Sequence, residues 1–294
     1  AGTTYTWNAP TYNNASLSGG QTQTNASVNI TDGPLYNPTS SQYVATYVVF
    51  PNTGTCPGTS FNLVVTIDPK PTITPMSTTL CSGIQFVVSP ADIINGIVPA
   101  GTFYSWGSPA VSNASLTGGV TSSGGTITGT LTNGTSVQQS ATYLVTPGYG
   151  TCTGAVFSVT VYVNPAAIMN TINTTVCSAS QFSVTPNATN GIVPAGTTYS
   201  WNVPTYQNAS LTGGQSASNQ TSIFGTITNP TNTRYYAQYN VVPTTGVCVG
   251  ATFILNAFIN PIPVITPMST TVCSGNTFAI TPVNGIDRKS TRLN

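Results

Sequence analysis

The sequence ATYLVTPGYGTCTGAVFSVTVYVNP (141–165) decides the fold, because its apolar and polar residues alternate in two runs on either side of a glycine-containing turn. Alternation with a period of two indicates half-buried β-strands, and a short turn between two such runs indicates neighbouring antiparallel strands. Related sequences are ATYVVFPNTGTCPGTSF (45–61) and AQYNVVPTTGVCVGATF (237–253). Both lie 96 residues away from the first, so the chain consists of tandem copies of one module.

Each module is predicted to be an immunoglobulin-like β-sandwich. Alternating segments rich in Thr, Val, Tyr and Phe are separated by Gly, Pro and Asn clusters, and about seven short strands with a tryptophan on the third are typical of that fold. No stretch has the period of a helix. In the middle copy the predicted strands are 72–75, 84–89, 102–107, 113–117, 126–132, 141–147 and 156–163.

Proline-containing sequences mark the boundaries between modules, which are predicted to be about 96 residues long. Proline ends a strand and stiffens a short connection, and DPKP, NPAA and NPIP recur at the expected spacing. The fold class is therefore all-β, as tandem β-sandwich repeats. The predicted domains are a partial repeat with the later strands at 1–67, complete repeats at 68–163 and 164–259, and a partial repeat with the first strands at 260–286.

The two partial repeats are complementary in sequence. The internal copies read NGIVPAGT (95–102 and 190–197), whereas the repeat region begins with AGT and its last residues, 284–286, are NGI. In a longer protein these ends would belong to neighbouring units. Between isolated chains, we expect the first strands of one copy to complete the sandwich at the start of the next by strand addition.

The last eight residues, DRKSTRLN (287–294), differ sharply from the rest in charge. They hold three of the five basic residues, and they resemble the conceptual translation of a sequencing adapter at every position. The alternative is a genuine basic tail. We interpret 287–294 as a non-native tail and leave it out of the fold.

The composition argues against enzymatic chemistry. Only 3% of residues are charged and there is no histidine, whereas about a quarter of residues are charged in typical soluble domains. The acidic residues, Asp32, Asp68, Asp92 and Asp287, are far apart in the sequence, so neither a carboxylate pair nor a set of metal ligands is expected. We predict no catalytic residue, no metal and no cofactor.

The composition also limits the partners. Five basic residues are too few to neutralise several phosphates, so nucleic acid is not expected as a partner. No apolar run approaches the roughly 20 residues of a membrane-spanning helix.

One tryptophan and one tyrosine recur in each repeat and are predicted to be core anchors. Trp7, Trp106 and Trp201 follow a tyrosine by two residues on the predicted third strand. A sugar-stacking platform is the other interpretation, but a tryptophan on that strand is expected in the core of a sandwich. The tyrosines of the sixth strand, at the position of a tyrosine corner, are Tyr47, Tyr143 and Tyr239.

Two cysteines recur in each period, and they are candidates for disulfides rather than zinc ligands, because no further Cys or His lies at ligand spacing. Three pairing schemes respect the period. Loops of 25 residues pair Cys56–Cys81, Cys152–Cys177 and Cys248–Cys273; loops of 71 residues pair Cys81–Cys152 and Cys177–Cys248; a link of 167 residues pairs Cys81–Cys248. In a regular sandwich the turn before the last strand and the turn before the second strand lie at opposite ends. This argues against the 71-residue bridge, which would join those two turns within one unit.

Several motifs carry a resemblance to a known family. CSG-x-x-F (81–86 and 273–278), NGIVPAGT-x-YSW and the segment at 141–165 resemble the PKD-like and immunoglobulin-like tandem repeats of very large Bacteroidota surface proteins, including gliding-motility adhesins. The third repeat departs from the pattern at Arg234 and Asn240. Because paired cysteines recur once per unit in that family, the resemblance favours the bridge within a unit.

The resemblance also implies where the protein acts. It implies secretion to the cell surface or the medium, and a role as the shaft of an adhesin or filament. Separately, the near-neutral surface, which lacks charge repulsion, leads us to expect self-association between repeats or chains. The alternatives are a module that binds neutral carbohydrates such as surface glycans, and a spacer in a secreted polysaccharide-active enzyme.

Overall fold

A computed structural model describes residues 2–282, and the predicted tail at 287–294 lies outside the described residues. Within residues 2–282 the chain forms 32 short strands and one 3₁₀ turn, Ala188–Asn190, with no α-helix. The prediction of an all-β fold built from PKD-like sandwich repeats is confirmed.

The first sandwich has one large sheet and one ribbon. The sheet has the order β2-β6-β1-β4, with β7 and β8 also paired to β6, and the ribbon joins β3 and β5. Its strands are β1 Thr4–Trp7, β2 Thr11–Tyr12, β3 Ser18–Gly19, β4 Gln23–Ser27, β5 Leu35–Tyr36, β6 Tyr43–Thr53, β7 Cys56–Pro57 and β8 Phe61–Ile67.

The second sandwich has a larger set of strands. They are β9 Thr72–Ile73, β10 Met76–Cys81, β11 Gln85–Val88, β12 Gly96–Ile97, β13 Phe103–Trp106, β14 Ala110–Val111, β15 Leu116–Gly118, β16 Ser122–Gly124, β17 Ile127–Asn133, β18 Gln139–Tyr149, β19 Cys152–Thr153 and β20 Phe157–Asn164. One sheet has the order β10-β20-β18-β13-β16 with β14 and β19 on β18, and the facing sheet has the order β11-β17-β15. Strands β9 and β12 form a separate pair.

The third sandwich repeats this arrangement. Its strands are β21 Ile168–Met169, β22 Ile172–Cys177, β23 Gln181–Val184, β24 Gly191–Ile192, β25 Thr197–Trp201, β26 Thr205–Tyr206, β27 Thr212–Gly213, β28 Ala217–Gln220, β29 Ile223–Thr228, β30 Tyr235–Thr245, β31 Cys248–Val249 and β32 Phe253–Asn260. One sheet has the order β22-β32-β30-β25-β28, and the facing sheet has the order β23-β29-β27. Strand β22 runs parallel to β32, whereas β30 and β32 are antiparallel.

Alternation along the central strands builds the core. In β30 the side chains of Ala237, Tyr239 and Val241 are fully buried, while their neighbours face outward, as a period of two requires. The register is regular through Asn240, which pairs with Ile254. The departure of the third repeat at Asn240 therefore changes an outward-facing position and leaves the pairing intact.

All seven strands predicted for the middle copy overlap observed strands, but five observed strands were missed. Four of them, β12, β14, β16 and β19, have only two or three residues; the fifth is the longer strand β10. This strand lies at the edge of its sheet and follows a proline, and its side chains are only half-buried where they face inward. Its Ser and Thr residues weaken the apolar alternation on which the prediction relied.

The chain divides into two compact units. The first consists of the chain up to Thr132 together with Ser140–Val163, and the second consists of Asn133–Gln139 and the chain from Asn164 onward. The first sandwich and, up to Val163, all of the second except Asn133–Gln139 are therefore in one unit.

Candidate assembly site

The aromatic residues that recur in each repeat lie inside the sandwiches. Trp7, Trp106 and Trp201 are no more than 4% exposed, so their ring faces are covered by protein. In the third sandwich the Trp201 indole Nε1–H donates to the Gln215 carbonyl at 3.0 Å. A groove of about 520 Å³ runs past this ring, but a buried indole face has no free surface on which a sugar could stack.

The three recurring tyrosines differ in what their hydroxyl groups meet. Tyr47 Oη donates to Asp32 Oδ2 at 2.7 Å, whereas within residues 2–282 the buried hydroxyls of Tyr143 and Tyr239 have no hydrogen-bond partner. Burial raises the pKa of both hydroxyls. A tyrosine corner needs a backbone acceptor upstream, and none of these tyrosines makes that bond.

The Asp32 carboxylate stabilises the first sandwich locally. Burial raises its pKa, but hydrogen bonds from the Tyr47 hydroxyl and from the amides of Gln21 and Gly33 outweigh burial and hold the pKa below its usual value. Within the described part of the chain, no three His, Cys, Asp or Glu side chains come together as a metal site would require. Asp32 therefore acts as a structural acceptor.

The structure leaves most of the cysteines as thiols. Cys81 and Cys248 are disulfide-bonded, whereas Cys56, Cys152, Cys177 and Cys273 are free. The 71-residue bridges favoured by the family resemblance are thus not formed, and neither are the 25-residue bridges.

Geometry explains why a bridge within one sandwich fails. Cys177 is opposite Asn260 at the end of β32, whereas Cys248 lies in β31, before β32 begins at Phe253. Seven strand residues separate these levels by about 23 Å, and a disulfide needs Cα atoms within about 7 Å of each other. The two cysteines of one sandwich therefore lie at opposite ends of it.

The first sandwich is open along β8. In the other two sandwiches the last strand, β20 or β32, is flanked by β10 or β22, but within residues 2–282 no strand pairs with the outer edge of β8. Phe61 on β8 is 42% exposed, whereas its equivalents Phe157 and Phe253 are each 4% exposed. An unpaired edge of this kind is a template for a further strand.

The first sandwich also has a cavity where the others hold a phenylalanine. Phe86 and Phe182 pack on Tyr143 and Tyr239, with ring centroids 5.5 and 5.6 Å apart. At the corresponding place in the first sandwich lies a groove of about 170 Å³ lined by Ile30, Asp32, Gly33, Leu35, Tyr47, Leu63 and Val65.

Gly33 shows that this groove is the place of a missing ring. A Cβ at Gly129 would lie 2.9 Å from the Phe86 ring, and one at Gly225 would lie 3.1 Å from the Phe182 ring. Gly33 is 96 residues before Gly129, and a Cβ there would meet nothing within 4 Å.

The segment 261–282 has the sequence that the open sandwich lacks, yet it forms no strand of its own. It follows β32, contains one isolated bridge residue, Ile265, and is exposed from residue 262 to residue 282. Ile265 is 55% exposed and Phe278 is 67% exposed. Their equivalents in the third sandwich, Met169 and Phe182, are 9% and 4% exposed. We call residues 261–282 the donor segment, and β8 with the groove at Gly33 the acceptor face.

Sequence reasoning missed a recurring asparagine that holds a loop. The Asn229 Nδ2–H₂ group donates to the carbonyls of Thr233 and Ile259 at 2.8 and 3.0 Å, and its Oδ1 accepts from Thr231. Asn37 makes the matching bonds in the first sandwich. The signal was present as N-P-T at 37–39 and at 229–231, two periods apart.

Comparison with known families gives a tandem match. A family model described as a PKD-like domain matches residues 1–71, 78–167 and 174–263. The comparison with curated proteins found no match. None of the helical segments in residues 2–282 has the length and hydropathy to span a bilayer.

Solved structures show weaker similarity. The chicken CNTN1 FN1-FN3 domains are 11% identical, with 87% of this chain and 88% of that chain covered and a TM-score of 0.30. Mouse Cadherin-23 EC22-24 is 14% identical, with 88% of this chain and 86% of that chain covered and a TM-score of 0.25. SporoSAG from Toxoplasma gondii is 11% identical, with 64% of this chain and 97% of that chain covered and a TM-score of 0.24. At these TM-scores the similarities bear on neither the assembly nor the function.

Proposed function

The chain belongs to the PKD-like domain family, and from this premise we propose that it is a non-enzymatic structural repeat region of an extracellular adhesin or filament. We further propose that its copies join head to tail. In each junction the donor segment of one copy completes the open first sandwich of the next. The observation that carries the proposal is the match between the exposed donor segment and the acceptor face.

The strand pairing of the complete sandwich supplies the register of the junction. In the third sandwich Ile172 is opposite Leu255 and Cys177 is opposite Asn260 in a parallel pair. Shifted by the repeat period, residues 268–273 of one copy align with 63–68 of the next, from Met268 at Leu63 to Cys273 at Asp68. The added strand pairs the outer edge of β8, which is the usual mode of strand addition.

Side-chain burial drives the same contact. Phe278 takes the place over Gly33 and Tyr47 that Phe182 holds over Gly225 and Tyr239. Burial of one such ring stabilises by roughly 1.5–3 kcal/mol. Several apolar side chains of the donor segment are exposed in the free chain, among them Val264, Ile265, Met268, Val272, Phe278 and Ile280.

The surface chemistry is compatible with association. With 3% charged residues and a net charge of +1, neighbouring copies repel each other little, whereas soluble monomers are usually kept apart by charge. Many weakly interacting repeats in a row also give avidity without a strong single site. This supports cohesion between copies as the role of the chain.

Two substitutions test the junction from opposite sides. Gly33→Val places a branched side chain where Phe278 docks, and the free chain tolerates it because a Cβ there meets nothing within 4 Å. Phe278→Asp damages the donor segment instead. Gly107→Val is the matched control, since a Cβ at Gly107 also meets nothing within 4 Å.

Sedimentation velocity over a concentration series gives the outcome. We expect end-to-end oligomers for the wild type and for Gly107→Val, and monomers for Gly33→Val and Phe278→Asp, with unchanged thermal unfolding. Oligomers that persist in both junction variants would contradict the proposed joining. A monomeric wild type at all concentrations would contradict it as well.

A further inference from the structure

Three of the free thiols lie at strand ends or turns of a sandwich: Cys177 ends β22, and Cys56 and Cys152 begin the short strands β7 and β19. The fourth, Cys273, lies in the donor segment. Because the cysteines of one sandwich are at opposite ends, each can bond only to a cysteine of an adjoining sandwich. Cys81 and Cys248 are the two bonded cysteines. Cys81 ends β10 of the second sandwich, and Cys248 lies in β31, in the turn between β30 and β32 of the third. For the other four, the same combination arises between two copies joined head to tail.

The contact between the first and second sandwiches shows which way the turn cysteine faces. Cys152 is in the turn after β18, beside Gly150, and a Cβ at Gly150 would lie 3.3 Å from Asp68 Oδ2. Asp68 directly follows β8. A second contact joins Gly154 to the Pro71 carbonyl so closely that a Cβ does not fit between them. The turn that holds Cys152 thus faces the end of β8.

The proposed junction brings a second cysteine to this end of β8. In the register set by Cys177 and Asn260, Cys273 of the donor segment is opposite Asp68 of the acceptor chain. Cys273 is exposed and Cys152 is half-buried, and both are free thiols. The donor segment therefore supplies, next to Cys152, the cysteine position that the first sandwich lacks.

The other two thiols are related in the same way. Cys177 lies at the end of the third sandwich where β32 ends. Cys56 is in the turn after β6, opposite Thr53, at the end of the first sandwich that is remote from Asp68. In a head-to-tail array the third sandwich of one copy precedes the completed first sandwich of the next. Cys177 and Cys56 then face each other as exposed thiols.

We propose that every junction is locked by two intermolecular disulfides, Cys273 to Cys152 and Cys177 to Cys56 of the next copy. This inference rests on the proposed head-to-tail joining. It uses all four free thiols. Each bond joins a cysteine at the position of Cys81 in one repeat to a cysteine at the position of Cys248 in the next repeat. Non-covalent strand addition aligns the thiols, and the disulfides then make the array permanent.

The oxidation requires a small-molecule disulfide such as oxidised glutathione. The Cys152 thiolate attacks one glutathione sulfur, forms a mixed disulfide and releases one glutathione thiolate. The Cys273 thiolate then attacks the Cys152 sulfur and releases the second glutathione. Two thiol protons go to solvent and two electrons go to the glutathione disulfide, as exchange chemistry requires. The same two steps join Cys177 to Cys56.

Two double variants of the full chain test the donor thiols and the acceptor thiols separately. The donor-thiol variant carries Cys177→Ser and Cys273→Ser, and the acceptor-thiol variant carries Cys56→Ser and Cys152→Ser. After incubation in a glutathione redox buffer, we expect the wild type to give a ladder of covalent multimers on non-reducing gels. Each variant alone gives monomers, and an equimolar mixture of the two gives dimers and nothing larger.

Peptide mapping identifies the bonds. The expected cross-linked peptides join Cys56 to Cys177 and Cys152 to Cys273 in about equal amounts. Symmetric links such as Cys56 to Cys56, or a ladder from either variant alone, would overturn the inference.

Sedimentation of the double variants without reductant distinguishes the two proposals, because neither variant can form the intermolecular bonds. Oligomers of the variants together with absence of wild-type cross-links would overturn the disulfides and leave the head-to-tail joining intact. Absence of oligomers and of cross-links in every sample would overturn both.

Discussion

Residues 165–186 and 261–282 have nearly the same pattern of residues, with T-T-V-C at 174–177 and at 270–273, but different structures. The first segment forms β21, β22 and β23 and buries Met169 and Phe182. The second forms no strand, and its equivalent residues Ile265 and Phe278 are exposed. The difference shows that the local sequence permits the strands, and that a partner surface is needed to form them.

Residues 165–186 form strands because the later strands of the same sandwich are available to pair with them. β22 pairs with β32, and β23 pairs with β29. Within the described residues the donor segment has no such strands after it. The acceptor face of the first sandwich lacks the opposite part, because none of the strands formed by residues 2–282 pairs with the outer edge of β8.

The largest expected effect on the free energy of unfolding comes from truncating Phe182, the phenylalanine of residues 165–186. Phe182→Ala removes a ring that is 4% exposed, and we expect the free energy of unfolding to fall by about 3–5 kcal/mol. Phe278→Ala, the matched change in the donor segment, should leave the unfolding of the dilute chain unchanged and weaken oligomerisation. Chemical denaturation and sedimentation measure the two effects. Equal destabilisation by both substitutions would show that the two segments are packed alike.

A smaller effect is expected from the asparagine that holds the loop. Asn229→Ala leaves the carbonyl of buried Ile259 without its donor, which costs about 1–3 kcal/mol. Asn37→Ala removes the matching bond to Ile67, but Asn37 is only half-buried in the open first sandwich, where water can replace it. Urea unfolding should therefore show the larger loss for Asn229→Ala. The reverse order would contradict the distinction between closed and open sandwiches.

The smallest effect is on acid stability. The pKa of Asp32 is held below its unfolded value, so its contribution is present above about pH 4 and is lost as the pH falls through the lower folded pKa. The third sandwich has no carboxylate on the equivalent Tyr239 within residues 2–282. Followed by hydrogen exchange as the pH decreases, the first sandwich should lose protection before the third. Asp32→Asn should abolish this pH dependence, because the substitution already lowers the protection of the first sandwich at neutral pH.

The sequence was sufficient to predict the period, the all-β class and the family, because each depends on patterns repeated within the chain. The recurring alternation around 141–165 and the buried Trp and Tyr positions are local features of that kind. The edge strand β10 was missed because three consecutive hydroxyl residues, at 77–79, interrupt its apolar alternation.

The cysteine connectivity was not predictable from spacing alone. Three schemes satisfied the period, and the resemblance favoured a bridge that the strand register rules out, since Cys177 and Cys248 lie at opposite ends of one sandwich. The acceptor face was also missed. The space over Gly33 depends on which side chains pack around it in three dimensions, and no local motif records that.

The most direct test of the central claim is hydrogen–deuterium exchange of residues 268–273 and of β8, measured in dilute and in concentrated wild-type protein. If the donor segment completes the first sandwich of another copy, both stretches become protected together as the concentration rises. In Gly33→Val both should remain unprotected. Exchange of residues 268–273 at the rate of an unstructured peptide at every concentration would contradict the account.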